Sequence, residues 1–262
     1  MNKELQTAIS AAREAGKIIL KKFGELSQNE IRAKEYKDFV TEADKASEAA
    51  ISAIIVRDFP EDSLLCEEGS NARGASGRTW IVDPLDGTLN FIHSFPVFAV
   101  SIALTDISGE LLAGVVYQPI LDELFTASRG GGAFLNGKRI HISQRNDPEQ
   151  LLIATGIPFK EYHYLEAYLQ TLREVIHDSA GIRRAGSAAI DLAYTACGRF
   201  DAFWEYKLFA WDFAAGVLLI REAGGSVTGF DGNQDVFSHH SIIAGSQFTH
   251  DLILQKASRH FT

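Results

Sequence analysis

Apolar residues recur at helical spacing from the start of the chain. Leu5, Ala8, Ile9, Ala12, Ile19, Leu20 and Phe23 form one run, and Gly24 closes it. A second helix is predicted over Thr41–Asp58, with Ala46, Ala49, Ala50, Ala53 and Ile54 as its buried stripe and Thr41 and Asp44 as a capping pair. The pattern then shortens to strands at Ser63–Cys66, Thr79–Asp83, Val97–Thr105, Leu111–Tyr117 and Glu123–Ala127. Asn136-Gly137 marks a hairpin between Ala133–Leu135 and Lys138–Ile142. Short connections between these strands predict a mainly antiparallel sheet.

After Asp147-Pro148 helices and strands alternate, the mark of an α/β arrangement. Strands are predicted at Leu151–Thr155, Arg183–Ala185, Phe200–Glu205 and Ser241–Ala244, and helices at Tyr162–His177, Ser187–Cys197, Trp211–Ala223 and Gln247–Ser258. A boundary near residues 145–150 divides an N-terminal α+β part, 1–147, from a smaller α/β part, 148–262. Asn71–Arg78 reads as a mobile connection.

Composition narrows the class. The chain has 262 residues, 46% hydrophobic and 23% charged, with 25 basic and 34 acidic side chains giving a net charge of −9. That is a globular protein and not a nucleic-acid wrapper or a membrane-surface binder. No apolar run reaches the roughly 18–20 residues of a membrane span. Cys66 and Cys197 lack metal-ligand spacing and read as thiols of a reducing compartment, so a cytoplasmic location is expected.

Chemistry concentrates in Trp80–Phe91, WIVDPLDGTLNF. Asp83 and Asp86 stand at a strand end, with Pro84 constraining the backbone between them. Two carboxylates there suit a hard divalent cation, and N–H groups at Gly87, Thr88 and Leu89 suit an anion such as phosphate. Turn residues and metal ligands are equal readings of the pair taken alone. An EF-hand fails, because Leu85 and Ser94 fall where its ligands belong. The aspartates are also one residue too far apart for a haloacid-dehalogenase phosphatase. In Trp211–Gly225, WDFAAGVLLIREAGG, Asp212 reads as a helix cap or a site residue. In Leu64–Gly69, LLCEEG, only one of Glu67 and Glu68 is expected to face a shared site.

Together, DPLDGT at 83–88 and WDFAAGVLLIREAGG at 211–225 resemble the paired signatures of the inositol monophosphatase family, magnesium-dependent and lithium-sensitive sugar phosphatases. Asp44, Glu67 and the stretch 186–205 fall at matching places, so the resemblance runs from about residue 5 to 258. It implies a layered α-β-α-β-α sandwich, a homodimer and two or three Mg²⁺ ions. By the same resemblance Glu67, Asp83 and the Leu85 carbonyl hold a first ion, and Asp83, Asp86 and Asp212 a second. Gly87 and Thr88 hold phosphate, and Asp44 and Thr88 orient a water. Gly186, Ser187 and Ala188 wall the substrate, Glu205 meets a polyol hydroxyl, and Glu68 stays behind Glu67 or at the surface. Ala210 stands where many relatives carry proline, and the connection from Glu67 to Asp83 is shorter than in some.

The implied reaction is hydrolysis of a phosphate monoester, inositol 1-phosphate first, by metal-activated water. Alternatives are a fructose-1,6-bisphosphatase, a histidinol-phosphatase, a 3′-phosphoadenosine-5′-phosphate phosphatase, or a fold-retaining regulatory protein of the kind that associates with the transcription machinery. FWEYKL at 203–208 resembles the inositol group most. Neither membrane nor nucleic acid is an expected partner. His93, His239-His240 and Gly130–Gly132 read as structural, and Asp191 and Asp201 equally as support for the site or as capping or surface pairing. Arg183-Arg184 reads as a surface salt bridge before a second-phosphate contact; facing the pocket, it would favour a bisphosphate.

Overall fold

A computed structural model describes residues 2–159 and 162–261. The first apolar run becomes α1 (Lys3–Lys22), capped by Asn2. A hairpin, β1 (Ile31–Glu35) and β2 (Asp38–Thr41), leads into α2 (Glu42–Asp58). The hairpin was not among the predicted elements: its strands are short and charged, and its turn uses Lys37 at φ 59° instead of a glycine. Thr41 and Asp44 cap α2 as expected. The helix buries a different stripe from the predicted one, however: Ala43, Asp44, Ser47, Glu48, Ile51 and Ile55, with Ala46, Ala49 and Ala53 facing water. Glu48 is buried because it accepts hydrogen bonds from Glu68 N and Ser70 N at 2.7 and 2.8 Å.

Helices α1 and α2 pack on one face of a seven-stranded sheet. Its strands lie in chain order: β3 (Ser63–Cys66), β4 (Thr79–Asp86), β5 (Ala99–Thr105), β6 (Leu111–Gln118), β7 (Glu123–Ser128), β8 (Gly132–Leu135) and β9 (Lys138–Arg139). A short helix, α3 (Thr88–Ile92), separates β4 from β5. Only β3 and β4 run parallel, so the sheet is mainly antiparallel. The connection 71–78 is tied down: Ala72 bridges to Leu64, and Ser76 and Arg78 bond Asp62.

The remaining chain supplies β10 (Leu152–Thr155), α4 (Leu165–His177), β11 (Gly181–Arg183), α5 (Ala188–Ala196), β12 (Ala202–Tyr206), α6 (Ala210–Glu222), β13 (Ser226–Thr228), α7 (Val236–His239), β14 (Ser241–Gly245) and α8 (Gln247–His260). Its strands form a second sheet in the order β11-β10-β12-β14-β13. The strand expected at 183–185 lies two residues earlier, α4 starts three residues late, and β13, too short for a visible alternation, was unpredicted. Helices α5 and α6 lie between the sheets in one apolar cluster, and α4 and α8 cover the outer face of the second. The layers are therefore α-β-α-β-α. No described helix is long and apolar enough to cross a membrane. Cys66 and Cys197 are unpaired, and burial pushes the Cys66 thiol up to about 12.

Candidate active site

The end of β4 departs from regular pairing. Asp83 pairs with Ser101 and Asp86 with Ala99, so three steps on β4 match two on β5. In an unbroken strand, residues three apart point to opposite faces. The bulge at Pro84-Leu85 lets both aspartates reach one place. Asp212, in the first turn of α6, joins them: Asp83, Asp86 and Asp212 each offer a carboxylate oxygen within 4.8 Å of the others. Each is tethered locally. Asp83 accepts from Leu85 N at 2.9 Å, Asp86 from Ser187 Oγ at 2.6 Å and Ala189 N at 2.7 Å, and Asp212 from Phe209 N at 2.7 Å.

Removing these acids from water and crowding like charges disfavours their ionised forms. Burial pushes Asp83 and Asp212 well above the usual carboxylate range, reinforced by neighbouring carboxylates, and lifts Asp86 to about 6. No ion pair neutralises the three among the described residues. An all-oxygen, negatively charged cluster of this kind fits a hard divalent cation. Glu67 follows β3 and adds its charge beside Asp83, but lies outside the group of three.

Glu67 and Glu68 occupy a turn, so strand alternation does not separate them. Both pair with Lys34 of β1, at 3.2 Å for Glu67. The Glu68 side chain is only 5% exposed against 20% for Glu67, so it is no surface residue. Burial lifts it to about 7.

Asp44, fully buried, accepts from Thr41 N at 2.8 Å through one oxygen and from Thr88 Oγ1 at 3.0 Å through the other. Thr88 Oγ1 also lies 3.2 Å from the Leu85 carbonyl oxygen. Burial raises Asp44 to about 6. Gly87 starts α3 at φ 96°, and a Cβ there would meet Val97 O at 3.0 Å, so this corner requires glycine.

A cavity of about 140 Å³ opens beside Asp86 and Asp212, and Gly186, Ser187 and Ala188 are among the residues that line it. Asn90 holds this wall by donating to the carbonyls of Val97 and Ala185 at 2.7 and 2.9 Å. Glu205 of β12 lines the same cavity, lifted by burial to about 8 although Arg184 opposes the rise. Gly156 makes room for it: a Cβ at Gly156 would stand 1.8 Å from the Glu205 carboxyl group.

Arg184 lines the cavity, stacked 5.0 Å from the Phe159 ring, and Arg183 points to solvent. Arg184 is exposed as well, so it reaches the cavity from the surface. Asp191 also lines the cavity. Asp201 does not; it accepts from Leu152 N at 2.8 Å and Arg145 Nη1 at 2.9 Å. His93 is exposed, and His240 bonds Leu208 O at 2.9 Å. The Gly130–Gly132 turn donates to Glu222 through Gly130 N and Gly132 N. Lys34 and Gly156 lie outside every motif, and Asn90 lies inside the 80–91 run without a role there that spacing reveals.

The model of the inositol monophosphatase family matches residues 1–261. An inositol-1-monophosphatase of Mesorhizobium japonicum is 43% identical over 256 residues, covering 97% of this chain and 96% of the relative. A Pseudomonas aeruginosa protein named Nus factor SuhB is 45% identical over 251 residues, 94% of this chain and 92% of the relative. Among solved structures, the extragenic suppressor protein suhB from Bartonella henselae matches with a TM-score of 0.95 at 43% identity, covering 98% of this chain and 99% of that one.

Proposed function

The chain belongs to the inositol monophosphatase family, a family of phosphatases, and we propose that it hydrolyses inositol 1-phosphate by direct attack of water. One observation carries the reading: Asp83, Asp86 and Asp212, brought from two distant segments, converge, and Asp86 and Asp212 line a cavity that Glu205 lines too. In this reading Asp83, Asp86 and Asp212, with Glu67 and the Leu85 carbonyl, hold magnesium. Bound there, magnesium neutralises phosphate charge and makes water more acidic.

The chain's own groups do the rest. Thr88 Oγ1 donates to Asp44 Oδ1, which leaves the Thr88 oxygen free to accept a proton from the attacking water. Asp44, lifted to about 6, is matched to receive the proton that Thr88 passes on. The Gly87 and Thr88 amides hold the phosphate oxygens. Ser187 fixes Asp86 while forming the wall against which the leaving group lies. Glu205 hydrogen-bonds a hydroxyl of that group. The donor set supports a phosphate monoester, and relatives named inositol-1-monophosphatase support the inositol ester.

A second reading, a binding role beside catalysis, is favoured by the relatives named Nus factor SuhB, which are as similar as the named phosphatases. Phosphate release from inositol 1-phosphate, fructose 1,6-bisphosphate, histidinol phosphate and 3′-phosphoadenosine 5′-phosphate, with and without Mg²⁺, tests the main reading. Mg²⁺-dependent preference for inositol 1-phosphate supports it. Preference for another ester overturns the substrate, and no release from any shifts weight to the binding role.

A further inference from the structure

Asp191 is a buried acid, 1% exposed, and its Oδ1 is enclosed without a hydrogen-bond partner among the described residues. Burying an unbonded carboxyl oxygen is costly, so a sequence keeps one where something else completes it. Its place in the first turn of α5 does not explain it. Ser187 already accepts from Ile190 N, and Asp86 from Ala189 N. What Asp191 does face is the cavity, which it lines together with Glu205, Arg184 and Thr155.

We propose that Asp191 is a specificity-determining residue that hydrogen-bonds a second hydroxyl of the substrate's leaving group, so that Asp191 and Glu205 together select a neutral polyol. The proposal rests on the phosphatase reading of this cavity. Neutral or ionised, a carboxyl group pairs well with a hydroxyl. Two such groups on one wall match a polyhydroxylated ring. Arg184 stacks on Phe159 and offsets part of the acidic charge.

The test compares two monoesters, inositol 1-phosphate and p-nitrophenyl phosphate, whose leaving group carries no alcohol hydroxyls. In Asp191→Ala the ratio of kcat/KM for the inositol ester to that for the aryl ester falls about tenfold or more, chiefly through KM. A proportional loss on both esters means a merely structural role and overturns the proposal, as does an unchanged ratio. If the parent hydrolyses neither ester with Mg²⁺, the phosphatase reading itself fails and takes the proposal with it. Should Asp191→Ala not fold, the parent is assayed on monodeoxy inositol 1-phosphates. Two separate hydroxyls whose removal raises KM about tenfold each support the proposal, and only one such hydroxyl overturns it.

Discussion

Asp201 and the Asp83–Asp86–Asp212 group are all carboxylates drawn out of water, but they are treated differently. Asp201 is enclosed by donors: Ser143 Oγ, Arg145 Nη1 and Leu152 N all give it hydrogen bonds. Asp62 is similar, accepting from Ser76 Oγ at 2.7 Å, Arg78 Nε at 3.0 Å and Trp80 Nε1 at 2.9 Å. The three active-site acids also have donors, yet they face one another with no ion pair to a cationic side chain among the described residues. Burial alone therefore does not identify a functional acid. A buried carboxylate surrounded by donors and a cation holds segments together, whereas buried carboxylates that confront each other call for a ligand from outside.

Substitutions separate the two kinds. Asp86→Asn keeps an acceptor for Ser187 and Ala189 but removes a cluster charge. Phosphate release falls about 10²–10³-fold, while thermal melting without Mg²⁺ does not drop. Asp201→Ala does the reverse. It strips three donors of their acceptor and costs about 2–4 kcal/mol in urea unfolding, with kcat per folded molecule preserved. A variant at Asp201 that lost activity but not stability would erase the distinction.

pH sharpens it further. Asp86 titrates near 6 in the fold against 3.8 for the free group. A raised carboxyl value means that the folded state holds a proton the unfolded state has lost. Metal-free stability therefore declines as pH rises from about 4 to about 6, and stays reduced above. Cation binding reverses this, because it prefers ionised ligands. Saturating Mg²⁺ should raise the melting temperature more at pH 8 than at pH 5. Equal stabilisation at both would mean the cation binds elsewhere.

The smallest expected effect is at Gly156, beside Glu205. Gly156→Ala forces the Glu205 carboxyl group aside, since the new Cβ would lie 1.8 Å from it. The Glu205 side chain can rotate, so KM for a polyol phosphate rises about three- to tenfold, with little change in kcat. A kcat loss instead would place Glu205 in the chemistry.

Much of this site was legible because its central part is local. Asp83, Asp86, Gly87 and Thr88 lie within six residues, and Asp212 sits in a second compact run. What the motifs did not convey was the bulge that turns Asp83 and Asp86 to one side, a matter of pairing with β5. The buried stripe of α2 departs from apolar spacing for a related reason. Apolar counting chose its alanines, while the buried face carries Asp44 and Glu48, polar because they bond Thr88 and the turn at Glu68. Lys34 and Gly156 act across long sequence distances, through an ion pair and a clearance, and single residues of that kind leave no periodic trace. Of the two places open to Glu68, the turn at 67–68 puts it behind Glu67, a placement that strand alternation does not describe.

The central claim is that Asp83, Asp86 and Asp212 form one cation site. Titration calorimetry of the metal-free protein with Mg²⁺ near pH 6, repeated in buffers of different ionisation enthalpy, tests it without any substrate. The account predicts saturable binding with release of protons, and loss of both in Asp212→Asn. Undiminished Mg²⁺ binding by that variant, with the same proton release as the parent, would contradict it.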